Sequence, residues 1–308
     1  MQAADRMVAL TCMSTLFFAF CITILAADLT AQPAFSGQGA WSPDGQRIIN
    51  TSNESGTWPL YSVDADGSDR QRLTTTQFNE TFPSYAPDGK HLLFLSDRDG
   101  NREIYIKDLD GQVCRLTEMS EDEFAPAWSP VGKRISSAFN EKDRRQSFLM
   151  DVTGENRQRF PAPGYEVIYP KVSLDGTEML VTARKRGSAF NQIYVMNMDG
   201  ANPRNLSRRS QPNYNGDWSP GGSRIVFVSQ SRGDKTTAAL YTVHAEGSGI
   251  RNITDTEAGC FQPSWSPDGK RIVFGLGWEK DHVGLFVMDS DGGHLVQITN
   301  HLKIRGVS

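Results

Sequence analysis

The side chains that could do chemistry in this chain are few and widely spaced. Its five histidines, His91, His244, His282, His294 and His301, include no close pair, whereas a metal centre needs imidazoles, thiolates or carboxylates converging on one point. No metal or other cofactor is expected. A Gly-x-Ser-x-Gly elbow, which presents a nucleophilic serine on a sharp turn, is absent from the sequence. Asp-x-Asp-Gly occurs at Asp64–Gly67, Asp108–Gly111 and Asp289–Gly292. These segments lack the further ligands and closing glutamate of a calcium loop and read as Asp-Gly hairpin turns. Only two of the four cysteines, Cys114 and Cys260, lie outside the apolar N-terminus. Two are too few for a disulfide framework, and both are expected to be separately buried thiols. No catalytic residue is nominated.

What remains is a set of aromatic rings and guanidinium groups, the side chains enriched in binding hot spots. Phe78, Phe82, Phe124, Tyr169, Tyr214 and Phe261 are the rings; Arg98, Arg144, Arg184 and Arg232 are the cations. The charge around them is mixed, with 32 basic and 36 acidic side chains giving −4 over 308 residues. That balance lacks the concentrated basic surface that nucleic acid requires, so no nucleic-acid partner is expected. Glu121, Asp122 and Glu123 make a short acidic run beside Phe124, read as a solvated loop.

The elements that must position these residues begin after a distinct N-terminal segment. Arg6 precedes an uncharged apolar run from Met7 to Ala27 that ends in small residues, the pattern of a secretory signal peptide. Cleavage after Ala26, Ala27 or Ala31 removes it. Retention would leave an anchor, since the run is long enough to span a bilayer. Either outcome puts the body outside the cytosol, periplasmic or facing the periplasm. Residues 1–27 are read as this leader or anchor, 28–36 as a linker, 37–299 as one domain and 300–308 as a tail.

Within 37–299 one unit recurs. Trp41-Ser-Pro-Asp-Gly45 returns as Tyr85-Ala-Pro-Asp-Gly89, Trp128-Ser-Pro-Val-Gly132, Val172-Ser-Leu-Asp-Gly176, Trp218-Ser-Pro-Gly-Gly222 and Trp265-Ser-Pro-Asp-Gly269, at intervals of 44, 43, 44, 46 and 47 residues. A second marker keeps step: Leu73-Thr74, Leu116-Thr117, Arg159-Phe160, Leu206-Ser207, Ile253-Thr254 and Ile298-Thr299. Each copy reads as four short strands separated by turn residues. That period and strand count describe a propeller blade, whose faces are buried only by stacking on neighbours. The expected fold is all-β, a six-bladed β-propeller with four antiparallel strands per blade. The recurrent Trp is expected to pack between neighbouring blades.

The Trp-Ser-Pro-Asp-Gly, Ser-Asp-Arg-Asp-Gly-Asn, Ile-Tyr-x-x-Asp-x-Asp-Gly and Leu-Thr elements resemble the TolB-like propeller repeat. The likeness covers the body of the chain and not the α/β domain that precedes the propeller in TolB. Similar repeats occur in propellers of prolyl oligopeptidase-like peptidases and of pectin-degrading lyases. The resemblance implies a periplasmic, non-enzymatic protein that binds a protein or envelope component, with a peptidoglycan-associated lipoprotein as a possible partner. It implies contact with a membrane only through the N-terminal segment. The alternative it leaves open is an exported polysaccharide lyase or peptide or glycan hydrolase acting in the channel mouth. In this build the blade-connecting loops and the loops between strands two and three open on one face. The six rings lie on the first set, and Arg98, Arg144, Arg184 and Arg232 on the second. The loop face is therefore the expected binding surface, because functional residues favour loops held on a rigid scaffold.

Overall fold

The computed structural model describes residues 36–53, 56–142, 144–230, 237–254, 258–277 and 283–299. The expected leader or anchor (1–27), all but the end of the linker (28–36), the tail (300–308) and Arg232 lie outside the described residues. Among the described residues no helix is long and apolar enough to cross a membrane.

The first marker folds the same way in repeat after repeat. Ser42 accepts the backbone N–H of Arg47 (2.9 Å) and donates its hydroxyl to Asp44 (2.5 Å), while the Gly45 N–H closes the turn on the Ser42 carbonyl (2.9 Å). Gly45 sits at φ +70°, which glycine adopts without steric cost. Ser129, Ser173, Ser219 and Ser266 make the same bond to the N–H five residues on. The strand after the turn then carries the fully buried apolar residues, such as Ile48 and Ile49, Leu92 to Leu95, or Ile225 to Phe227.

The second marker has an equally local cause. The hydroxyl oxygen of its Thr or Ser accepts the N–H of the third strand: Leu60 to Thr74, Ile104 to Thr117, Ile193 to Ser207, Leu240 to Thr254 and Leu285 to Thr299, at 2.9–3.1 Å. In these five units an amide near the start of the third strand is thus satisfied by a side-chain hydroxyl instead of a fourth-strand carbonyl.

The repeats supply the strands β1–β4 (Ser36–Trp41, Arg47–Ser52, Leu60–Asp64, Gln71–Arg72), β5–β8 (Glu80–Tyr85, His91–Ser96, Glu103–Asp108, Val113–Arg115) and β9–β12 (Glu123–Trp128, Arg134–Glu141, Arg144–Asp151, Gln158–Arg159). They continue as β13–β16 (Tyr165–Val172, Glu178–Lys185, Gln192–Asn197, Arg204–Asn205), β17–β20 (Asn213–Trp218, Arg224–Gln230, Ala238–His244, Arg251–Asn252) and β21–β24 (Gly259–Trp265, Arg271–Gly277, Val283–Asp289, Val296–Gln297).

The all-β propeller architecture is present, but the expected division into six blades is corrected. Hydrogen bonding makes five sheets: β1–β4, β5–β8, β9–β12 and β13–β16 are four-stranded, while β17–β24 form one sheet of eight. The fusion occurs where Ala238 of β19 pairs in parallel with Gly259 of β21. Ala238 and Ala258 are buried and Gly259 has no side chain, so the two backbones approach to ladder distance.

Units pack face to face, and the first packs on the last. Trp41, Ile48 and Val63 share one cluster with Val273, Leu285, Val287 and Ile298, and the Trp41 indole N–H donates to the Ser264 carbonyl at 3.3 Å. Trp218 repeats that bond to the Lys171 carbonyl of the unit before it (3.2 Å). Of the two cysteines, Cys260 is buried and Cys114 is exposed, which corrects the expectation for Cys114: it lies on β8, a short outer strand exposed along its length.

Thr299→Val is isosteric but leaves the buried Leu285 N–H without its acceptor. Such a loss costs about 1–3 kcal/mol, to be read as a lowered midpoint in urea unfolding at unchanged m-value.

Candidate functional site

The innermost strands β1, β5, β9, β13, β17 and β21 share one irregularity. Three residues before each Trp position the backbone turns left-handed, at Gln38, Phe82, Ala125, Tyr169, Asn215 and Gln262, with φ between +48° and +57°. The pairing register with the second strand shifts at the same place. A bulge of this kind bends its strand and re-aims the side chains around it. Repeated around the ring, it shapes an axial cavity of ≈ 290 Å³ lined by residues of all these strands.

The lining is mainly apolar at Ala40, Phe82, Ala125, Pro126, Ala127 and Tyr169, with Gln38 and Ser84 beside them, and more polar at Lys171, Asn215, Asp217, Gln262 and Ser264. Lys171 and Asp217 form an ion pair at 2.7 Å. Asp217 also accepts the Trp265 backbone N–H at 3.0 Å, so one carboxylate ties β13, β17 and β21 together. The lining reaches outward through Trp41, Tyr85, Trp128 and Trp265 to Pro267. Burial raises the Tyr85 hydroxyl above its ordinary pKa. Beyond Pro267 the first-marker turns present Pro43, Pro87, Pro130, Leu174 and Pro220, all exposed. Beside them in the same turns Asp44, Asp88, Asp175 and Asp268 are equally exposed, so this face mixes apolar and acidic residues.

The sequence-nominated rings are divided between two environments. Phe82 and Tyr169 line the cavity, half-buried, with ring centroids 6.4 Å apart. Phe124 (3% exposed) and Tyr214 (7%) lie in the core with Leu93, Ile104, Phe148 and Ile168, which removes them from any contact surface. The difference is one residue of register: Phe82 and Tyr169 stand three before the Trp position, Phe124 and Tyr214 four before, and successive strand residues face opposite sides. Phe261, also four before, is half-buried and lies against Gly275, where an added Cβ would be 2.1 Å from its ring. Phe78 is half-buried in the connecting loop, its N–H bonded to Thr76 (3.1 Å).

The arginines are not gathered by the cavity. Arg98 pairs with the buried Glu80 at 2.7 Å and stacks 4.5 Å over Tyr105. Arg184 pairs with Glu166 at 2.6 Å, and Arg144 is exposed at the β10–β11 hairpin opposite Glu141. The acidic run is also corrected: Glu123 is fully buried, while Asp122 binds Arg102 at 2.9 Å. Sequence reasoning passed over the Lys171–Asp217 pair. Its signal was present, since the residue just before the Trp position is Ala40, Ser84, Ala127 or Ser264 in other repeats and Lys171 or Asp217 in these two. Among the described residues no group of three or more His, Cys, Asp or Glu side chains is arranged to hold a metal ion.

Comparison with known proteins adds a family relation. The profile of the TolB beta propeller domain matches residues 23–123 and 103–301. A protein TolB homolog from Chlorobium chlorochromatii is 29% identical over 159 residues, covering 49% of this chain and 36% of that protein. The chain thus spans about a third of that relative's length. The crystal structure of TolB from Acinetobacter baumannii superposes at a TM-score of 0.64 and 20% identity, over 84% of this chain and 62% of that one. A TolB-type structure from Agrobacterium tumefaciens gives 0.68 at 19% identity, over 85% and 92%. At such identities the structural likeness shows the fold.

The placement of the rings sets a stability order. Phe124→Ala opens a core void and costs about 3–5 kcal/mol, whereas Phe82→Ala, half-buried at the cavity wall, costs less than half of that. Denaturant midpoints of the two variants measure the order, and equal losses would contradict it.

Proposed function

The chain belongs to the TolB beta propeller family, and from that premise we propose that it is an exported binding protein that takes up part of an envelope protein at its axial cavity. The observation that carries this reading is the cavity itself, ≈ 290 Å³ and lined from all six inner strands. Small-molecule pockets run from roughly 300 to 1,000 Å³, so this one suits a side chain or loop tip presented by a larger partner. Its two chemistries match such a guest. The Phe82–Tyr169 wall offers apolar contact, and the amides of Asn215 and Gln262 with the Lys171–Asp217 pair offer hydrogen bonds to a backbone.

The loop face is the less favoured surface, because Arg98 and Arg184 are already engaged by Glu80 and Glu166. The family relation nominates a peptidoglycan-associated lipoprotein as the partner. Export rests on the apolar run Met7–Ala27 and on the family relation together.

Ala127→Arg tests the site, because its side chain fills the cavity while its charge can reach solvent. Titration against the purified lipoprotein of the same cell should show a dissociation constant raised at least about tenfold, a loss of about 1.4 kcal/mol, with little change in melting temperature. Arg144→Ala on the loop face should bind normally. Unchanged binding by Ala127→Arg with loss in Arg144→Ala would place the contact on the loop face instead.

A further inference from the structure

One buried cluster lies outside the cavity lining. At the junction of the second and third repeats, Glu103 and Glu123 are both fully buried. Glu103 is well held through one oxygen, which accepts the Met119 N–H (2.6 Å) and the Asn101 side-chain amide (2.9 Å) and has Arg115 at 3.1 Å, while its other oxygen is buried without a partner. Glu123 is held differently. One oxygen accepts the Thr117 hydroxyl, with the Ile104 backbone N–H as a lesser aid, and its other oxygen is, like that of Glu103, buried with no hydrogen-bond partner. Without the paired guanidinium and the two N–H donors that hold Glu103, Glu123 cannot stay ionised at low cost beside that second carboxylate.

The protein contains a neutral version of this junction two repeats on. Gln192, Ser207 and Asn213 stand at the positions of Glu103, Thr117 and Glu123. There the Ser207 hydroxyl donates to Gln192 Oε1 (2.7 Å), and the Asn213 amide donates to the same oxygen (3.2 Å) and to the Gln211 carbonyl (2.7 Å). The residue at the Glu123 position therefore acts as a donor in the neutral junction. A carboxyl group donates only when protonated.

We propose that Glu123 is protonated in the folded protein and that its proton is part of the clamp between the second and third repeats, so that alkali loosens this junction and the β9 wall of the cavity with it. Burial, with the charge of Glu103 added, pushes the Glu123 carboxyl up to about 8, against the smaller opposing effects of Thr117 and Arg157. The other charges facing the site are those of Arg115 with its neighbour Asp99 on one side and the Arg102–Asp122 pair on the other. Because the folded state holds a proton that the unfolded chain releases near pH 4.5, this group's contribution is fully present at low pH. It is lost as pH rises from about 4.5 to about 8. Glu80, also pushed up by burial, adds a separate pH dependence that every variant below retains.

The test compares wild type, Glu123→Gln and Glu103→Gln by unfolding between pH 5 and 9, with infrared detection of protonated carboxyl groups. Wild type should lose folding constant relative to Glu123→Gln by up to about tenfold per pH unit between pH 5 and 8. Its carboxylic acid band should be present at pH 6 and bleach with a midpoint near the folded value. Glu103→Gln, which removes the neighbouring charge, should keep the band and move its loss to a lower midpoint pH, because the Glu123 proton is then released more readily. If Glu123→Gln does not fold, the band in wild type and its shift in Glu103→Gln still decide. Parallel stability curves for wild type and Glu123→Gln, or a band absent at pH 6 or unmoved by Glu103→Gln, would overturn the proposal.

Discussion

Everything in this molecule depends on sheets that are apolar on both faces and so must be covered by neighbours. Ile48, Leu93, Ile135, Leu180, Ile225 and Ile272 are each fully buried, and no unit has a second layer of its own to bury them. A stack of such units leaves two bare faces unless the first meets the last. The cluster joining Trp41, Ile48 and Val63 to Val273, Leu285 and Val287 is that meeting, and it removes the exposed faces and edges that an open stack would present. Closure also fixes the geometry of the inner strands, which have no other layer behind them.

The cavity is a by-product of that geometry. Six bulges at equivalent positions bend the inner strands around the axis, and the left-handed residue in each is a side chain rather than a glycine. Such conformations cost about 1–3 kcal/mol each where the residue is not glycine and persist only where the surroundings impose them. Function then follows from which side chains the bulge turns inward, and this gives a physical reason for an aromatic wall at Phe82 and Tyr169 alongside an ion pair at Lys171 and Asp217. The same junctions that hold the units together differ in chemistry, from Gln192 and Asn213 to Glu103 and Glu123, so the ring is uniform in shape and uneven in charge.

Much of the fold was legible because it is local. Ser-Pro-Asp-Gly writes a turn through the serine hydroxyl and the positive φ of glycine, and Leu-Thr writes a strand end through the threonine hydroxyl. Neither depends on distant contacts. The fusion of two repeats into one eight-stranded sheet was not legible, since a single pairing of Ala238 with Gly259 leaves no pattern in the sequence. The candidate site was half legible. Aromatic residues near the inner strands stood out, but whether each faces the cavity or the core turns on one residue of register at a bulge, which separates Tyr169 from Tyr214. Glu123 was misread because an acidic run beside a loop looks solvated; only the strand start at Glu123 puts that one carboxyl inside.

Closure is tested most directly by hydrogen exchange of the buried amides in β2 and β22 under mildly native conditions. If first and last units support one another, both strands exchange only through the same global opening, with equal free energies and equal response to denaturant. Exchange of β2 through a separate opening of much lower free energy, with β22 still protected, would mean the ring is not held shut by this contact and would contradict the account.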